Sequence, residues 1–185
     1  MILPIYAYGH GVLKKKAKPI EENDETLKML IENMWETMYN AKGVGLAAPQ
    51  IGQSLRLFLV DTVQVMEEED IDKGIKQAFI NAEIVEESGN HWAYEEGCLS
   101  IPDIRADVER QDTVTIKYLD ENFEEQTKTF DGMNARVIQH EYDHIEGILF
   151  TEHIKPLKKR LIKRRLENIR KGKINPSYPL RFPKK

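Results

Sequence analysis

A chain of 185 residues, 41% hydrophobic and 31% charged, has the composition of a globular protein and is long enough for one sizeable core but not for two full domains. No apolar run approaches the roughly 20 residues that span a bilayer, and a lone cysteine, Cys98, excludes an intrachain disulfide. The net charge of −4 conceals a division: residues 1–154 carry 14 Lys/Arg against 30 Asp/Glu, residues 155–185 carry 13 against 1, and two different partners are implied.

The first stretch, MILPIYAYGHGVLKKKAKP, puts its apolar residues before its lysines. That order reverses a secretory signal, so a cytoplasmic location is expected. Asn23 or Asp24 can cap a helix whose apolar residues Leu27, Leu30, Ile31, Met34, Trp35 and Met38 recur at helical spacing, with Gly43 ending it. That stripe reads as core. GVGLAAPQIGQ reads as a turn-rich loop, LRLFLV as a short buried strand ending at Asp61, and the EEED at 67–70 as a solvated loop. QAFINAEIVEE and DTVTIKYLD have strand composition, and DENFEEQTKTF completes a hairpin with the second.

After Gly132 a helix is expected in which Met133, Val137, His140 and His144 form one continuous stripe. The last predicted element is PLKKRLIKRRLENIRKGK, a basic helix opened by Pro156 and closed by Gly172, with Leu157, Leu161 and Ile169 along one side.

The chemistry concentrates in QHEYDHIEG, residues 139–147. On a helix His140 and His144 share one face and can grip a metal ion, with Glu141 beside it as a general base. Buried histidines without a metal would each need an internal hydrogen bond, and that alternative stays open on this pattern alone. A third ligand does not follow at the expected distance. The metzincin extension runs to Gly147 and then meets Phe150, with His153 three residues late. Glu167, the glutamate a thermolysin-like site would need, sits among basic residues. Cys98 in EEGCLSIP would suit zinc or ferrous iron as a thiolate, although a lone cysteine is commonly an inert buried thiol.

GVGLAAPQ (43–50), EGCLS (96–100) and QHEYDH (139–144), in this order and separation, closely resemble the three signature motifs of peptide deformylases. Three independent motifs make the likeness specific. It spans residues 1 to about 155, including ILPIY near the start, and weakens in the tail. The G-x-G-x-x-A inside GVGLAA is no dinucleotide fingerprint, which needs a strand before it and a helix after it.

The resemblance implies an α+β fold, antiparallel strands around a central metal-binding helix, with a catalytic domain at 1–155 and a basic C-terminal helix and tail at 156–185. It implies a hydrolase that removes the N-formyl group from the formyl-methionine of new polypeptides. Cys98, His140 and His144 would hold one Fe2+, which Zn2+ or another divalent metal can replace, and the active iron form would fade in air. Glu141 would move the proton, with Gln50 and the Leu99 backbone N–H donating to the carbonyl oxygen.

In the same likeness Gly45 lets the substrate backbone come close. Val44, Met133 and Val137 fit either a pocket for the methionine side chain or core packing, and Arg105 fits either the peptide's path or the surface. His10, His91 and His153 match no motif and take surface or local hydrogen-bonding roles. The partners implied are a formylmethionyl peptide and, through the basic helix, the ribosome, with no membrane and no DNA. Two other classes share parts of the pattern: a metallopeptidase, whose third ligand fails the position tests, and a structural metal protein, which would need a fourth ligand.

Overall fold

The computed structural model describes residues 1–184 and carries an α+β fold. A short strand, β1 (Ile5–Tyr6), leads to helix α1 (Glu25–Asn40). Of the two candidate caps it is Asp24 whose side chain accepts from the Leu27 N–H at 2.9 Å. Leu27, Ile31, Met34 and Met38 then bury one stripe of the helix. The segment expected to be a turn-rich loop is more regular than that. It holds strand β2 (Gly45–Ala47) and a 3-10 turn over Ala48–Ile51, because its small residues let it pair with β3 (Leu57–Asp61) deep in the core.

Two strands run far beyond their expected bounds: β4 (Lys76–Cys98) and β5 (Ile101–Leu119). Residues 86–96 lack the apolar alternation of a half-buried strand, which is why only the first part of β4 is legible. In β5, Ile104, Ala106 and Val108 point inward while Arg105, Asp107 and Glu109 face water, the period-2 pattern of a sheet with one wet face. With β6 (Glu125–Asp131) they complete an antiparallel five-stranded sheet in the order β2-β3-β4-β5-β6.

Helix α2 (Gly132–Ile145) packs into this sheet, against β2, β3 and β5. Its Ala135, Val137, Ile138 and Ile145 share one core cluster with Phe58, Phe79, Val114 and Ile116. Helix α3 (Pro156–Arg170) lies against the first half of β5. Its packing face matches the expected one only in part: Ile169 is buried, but Leu157 and Leu161 are 71% and 69% exposed, and Ile162 and Leu166 are buried in their place. The helix seats itself on residues 162, 166 and 169, at i, i+4 and i+7, and leaves Leu157 and Leu161, in its first two turns, in water. The chain then returns, and β7 (Leu180–Arg181) pairs in parallel with β1.

Candidate active site

Sheet and helix α2 meet at a cleft of about 480 Å³. Val44, Gly45, Gln50, Cys98, Leu99, Arg105, Met133, Val137, His140 and Glu141 all line it, so ten residues singled out from sequence converge on one cavity. His144, 1% exposed, lies just behind the wall.

The helical i, i+4 spacing sets the two imidazole rings 5.2 Å apart between centroids. Cys98 reaches them from the end of β4, its Sγ 3.4 Å from His144 Nε2. One ligand atom from each of Cys98, His140 and His144 lies within 4.8 Å of the others. Donors at 2.0–2.3 Å from one tetrahedral ion are separated by about 3.3–3.7 Å, so this trio suits a shared ion after a small contraction. Among the described residues no fourth side chain joins them, so an ion held by this trio would keep a position open for water. Glu141 Oε2 is buried without a hydrogen-bond partner, an unmade bond that a water beside an ion would complete.

Glu96 sits behind His140, and its importance was missed in sequence although it stands two residues before Cys98. Its Oε1 lies 2.8 Å from His140 Nδ1, which leaves Nε2 as the atom that can bind an ion. Arg110 donates to both Glu96 oxygens, at 2.7 and 3.1 Å, and Arg136 Nη1 donates to Oε2 at 2.7 Å. Burial works against the Glu96 charge, but hydrogen bonds and charge from His140 and Arg110 win, and its carboxyl is held well below the usual range. Arg110 also reaches Asp143 at 2.9 Å, and His153 Nε2 meets the same Asp143 oxygen at 2.9 Å. An outward chain of polar contacts therefore runs from His140 through Glu96, Arg110 and Asp143 to His153.

The histidines differ electrostatically. Burial, with the nearby charges of His140 and Arg110, drives His144 well below the ordinary imidazole value, leaving a neutral ring with a free lone pair. For His140 burial pulls the same way, but bonds to Cys98 and Glu96 outweigh it and raise the value. An ion must compete with that proton for Nε2. Burial pushes the Glu141 carboxyl up to about 7.

Gly45 has a reason that sequence did not reveal. A Cβ there would stand 2.5 Å from Glu141 Oε1, so glycine makes room for the carboxylate. Gln50 is buried, its Oε1 accepting from the Ala47 N–H at 2.9 Å while Nε2 faces Cys98 Sγ at 3.5 Å and Ser100 Oγ at 3.2 Å. Arg105 is exposed at the outer end of the cleft and tied to Glu95. Val137 is buried, and Val44 and Met133 are half-buried, packed against the same core while still facing the cavity.

The family model for polypeptide deformylases matches residues 2–160. A peptide deformylase of Christiangramia forsetii is 57% identical over 190 aligned residues that cover 99% of this chain and 97% of its own. Among solved structures, a peptide deformylase from Legionella pneumophila superposes with a TM-score of 0.82 at 41% identity, covering 94% of this chain and 98% of its own. One from Plasmodium falciparum gives a TM-score of 0.83 at 32% identity, covering 91% and 95%.

Proposed function

We propose a division of labour from one premise: this chain belongs to the polypeptide deformylase family, the metal-dependent enzymes that remove the N-formyl group from newly made polypeptides. Cys98, His140 and His144 hold one divalent ion. Two imidazoles and a thiolate suit zinc and ferrous iron alike, and we assign ferrous iron because the family points to it. When bound, the ion supplies Lewis acidity that brings a water's pKa toward ~7.

The remaining roles fall to the protein. Glu141 takes the attacking water's proton, on the carboxylate oxygen left without a partner, and returns it to the departing amine. A carboxyl pushed up toward neutrality suits a group that must both accept and release a proton. Gln50 Nε2 and the Leu99 N–H receive the charge that builds on the formyl oxygen, each such donor typically contributing ~3 kcal/mol. The tie from Gln50 Oε1 to the Ala47 N–H keeps the amide's donor end toward Cys98. Val44, Met133 and Val137 accommodate the methionine side chain, Gly45 admits the substrate backbone, and Arg105 flanks the peptide farther out. Among the described residues no helix is long and apolar enough to cross a membrane. A cytoplasmic enzyme with its basic helix on ribosomal RNA accords with residues Lys158, Lys159, Arg160, Lys163, Arg164 and Arg165, all exposed.

The 3.4 Å approach of Cys98 to His144, with His140 Nδ1 already engaged by Glu96, carries this reading. It is tested on protein purified without oxygen, assayed with formylated and unformylated peptides. Cys98→Ala is expected to lose ion and deformylation together, whereas Glu141→Gln keeps one ion per chain and loses turnover by about a hundredfold or more. Full-affinity metal binding by the first variant, or near-normal turnover by the second, contradicts the assignment.

A further inference from the structure

The family model stops at residue 160, yet the chain comes back to the cleft after it. We infer that Tyr178, in this returning tail, is a positioning residue of the deformylase site: it holds the Leu99 carbonyl and thereby sets the Leu99 N–H. The inference rests on the assignment of that N–H as a donor to the formyl oxygen.

The turn between β4 and β5 needs holding. Cys98 pairs with Ile101, so Leu99 and Ser100 are the two loop residues of a hairpin. Two-residue hairpins favour the primed turns, whose twist matches the strands and which place the first loop residue at positive φ. Positive φ among non-glycine residues occurs at Lys42, Asn81, Asp103 and Phe123, not at Leu99 or Ser100. The register also shifts between Gly97 and Cys98. A turn of unmatched twist beside a shifted register is weakly specified by its own strands, so its geometry depends on outside contacts.

Among the described residues three hydrogen bonds supply them, beside the packing of the Leu99 side chain. The Tyr8 N–H donates to the Ser100 carbonyl at 2.8 Å, and Gln50 Nε2 donates to Ser100 Oγ at 3.2 Å. The Tyr178 hydroxyl donates to the Leu99 carbonyl at 2.6 Å. The first two fix Ser100, and the third fixes the Leu99–Ser100 peptide plane, adjoining the peptide that carries the Leu99 N–H.

Both chain ends deliver these ties from one small sheet. The Ile5 N–H donates to the Pro179 carbonyl and the Ala7 N–H to the Arg181 carbonyl, both at 2.9 Å, which anchors the chain directly after Tyr178. Tyr8 follows directly on the other strand. Burial raises the Tyr178 hydroxyl above the ordinary phenol value, so it remains a protonated donor at neutral pH. Displacing a donor by about 1 Å from the developing charge can cost up to ~100-fold in rate.

The test is Tyr178→Phe in the full, iron-loaded chain, which keeps the ring and removes only the hydroxyl. With a short formylmethionyl peptide, kcat should fall about tenfold while KM stays within about twofold, one ion remains bound per chain and the melting temperature moves by no more than ~2 °C. A kcat within about twofold of the parent overturns the inference. So does a fall in kcat accompanied by loss of the ion or a lower melting temperature, which would mean packing damage. Gln50→Ala, measured alongside, separates the tail's role from the oxyanion assignment beneath it. If it loses kcat and Tyr178→Phe does not, only the tail's role fails; if neither variant loses kcat, the oxyanion assignment fails and the tail's role with it.

Discussion

Helices α2 and α3 follow one another in the chain and are nearly equal in length, yet they treat polar groups in opposite ways. Helix α2 buries ten of its fourteen residues, and six of those are polar or charged: Asn134, Arg136, Gln139, His140, Glu141 and His144. Helix α3 buries three of its fifteen, all aliphatic, and leaves its cations in water. A buried polar group costs free energy unless it is paired, so α2 is held by specific partners on β4 and β5. Arg136 alone donates to Glu96, the Val108 carbonyl and the Trp92 carbonyl. Helix α3 is held by little more than Ile162, Leu166 and Ile169 on the hydrophobic cluster under β5. Around the candidate site the protein uses pairings that tolerate little change; at its surface it uses a short apolar seam beneath replaceable charge.

Glu96→Gln tests that contrast most severely, because one substitution removes the buried charge shared by Arg110, Arg136 and His140. Breaking a buried ion pair typically costs about 3–5 kcal/mol, and if His140 is a ligand as proposed, losing its partner should weaken metal binding about 10–100-fold. Chemical denaturation and metal titration measure the two effects; unchanged values in both would show that α2 is not held through Glu96.

The apolar seam of α3 gives the next largest effect. Ile169→Ala, at a position 1% exposed, should destabilise the chain by about 2–4 kcal/mol, whereas Leu157→Ala should stay within ~0.5 kcal/mol. Equal losses in urea unfolding would restore the face expected from sequence.

The smallest effect concerns the charges themselves. Reversing Lys159 and Lys163 together, as Lys159→Glu with Lys163→Glu, should leave turnover of a short peptide intact. Ribosome pelleting should weaken, and its log–log salt slope should become shallower by about 0.7–0.9 for each phosphate no longer neutralised. Equal pelleting across the salt series would end the proposal that this helix meets the ribosome.

Legibility in the sequence followed the range of the forces involved. The α1 stripe and the His140–His144 spacing were readable because helix geometry is repeated every few residues. Helix α3 was recognised, but its seat was misread. Leu157, Leu161 and Ile169 fit one stripe, and residues 162, 166 and 169 fit another; only the shape of the β5 surface chooses between them. In β4 the polar run 86–96 gave no strand signal, since pairing with β5 and not an apolar face keeps it extended.

By itself, then, the sequence determined the local devices: the helix that presents two histidines on one side, the glutamate between them, the capped and striped α1, and the charge division between body and tail. Three motifs also carried the family likeness, and with it the pairing of Cys98 to the histidines. Tertiary structure alone decided that Glu96 stands behind His140, that Gly45 yields its Cβ space to Glu141, and that Tyr178 reaches Leu99 from beyond the matched family region. The first and last of these meetings join residues 44 and 79 positions apart, and 96 positions separate Gly45 from Glu141. Over such distances contact depends on strand register, sheet twist and the path of the returning chain, and those emerge only when the whole core packs.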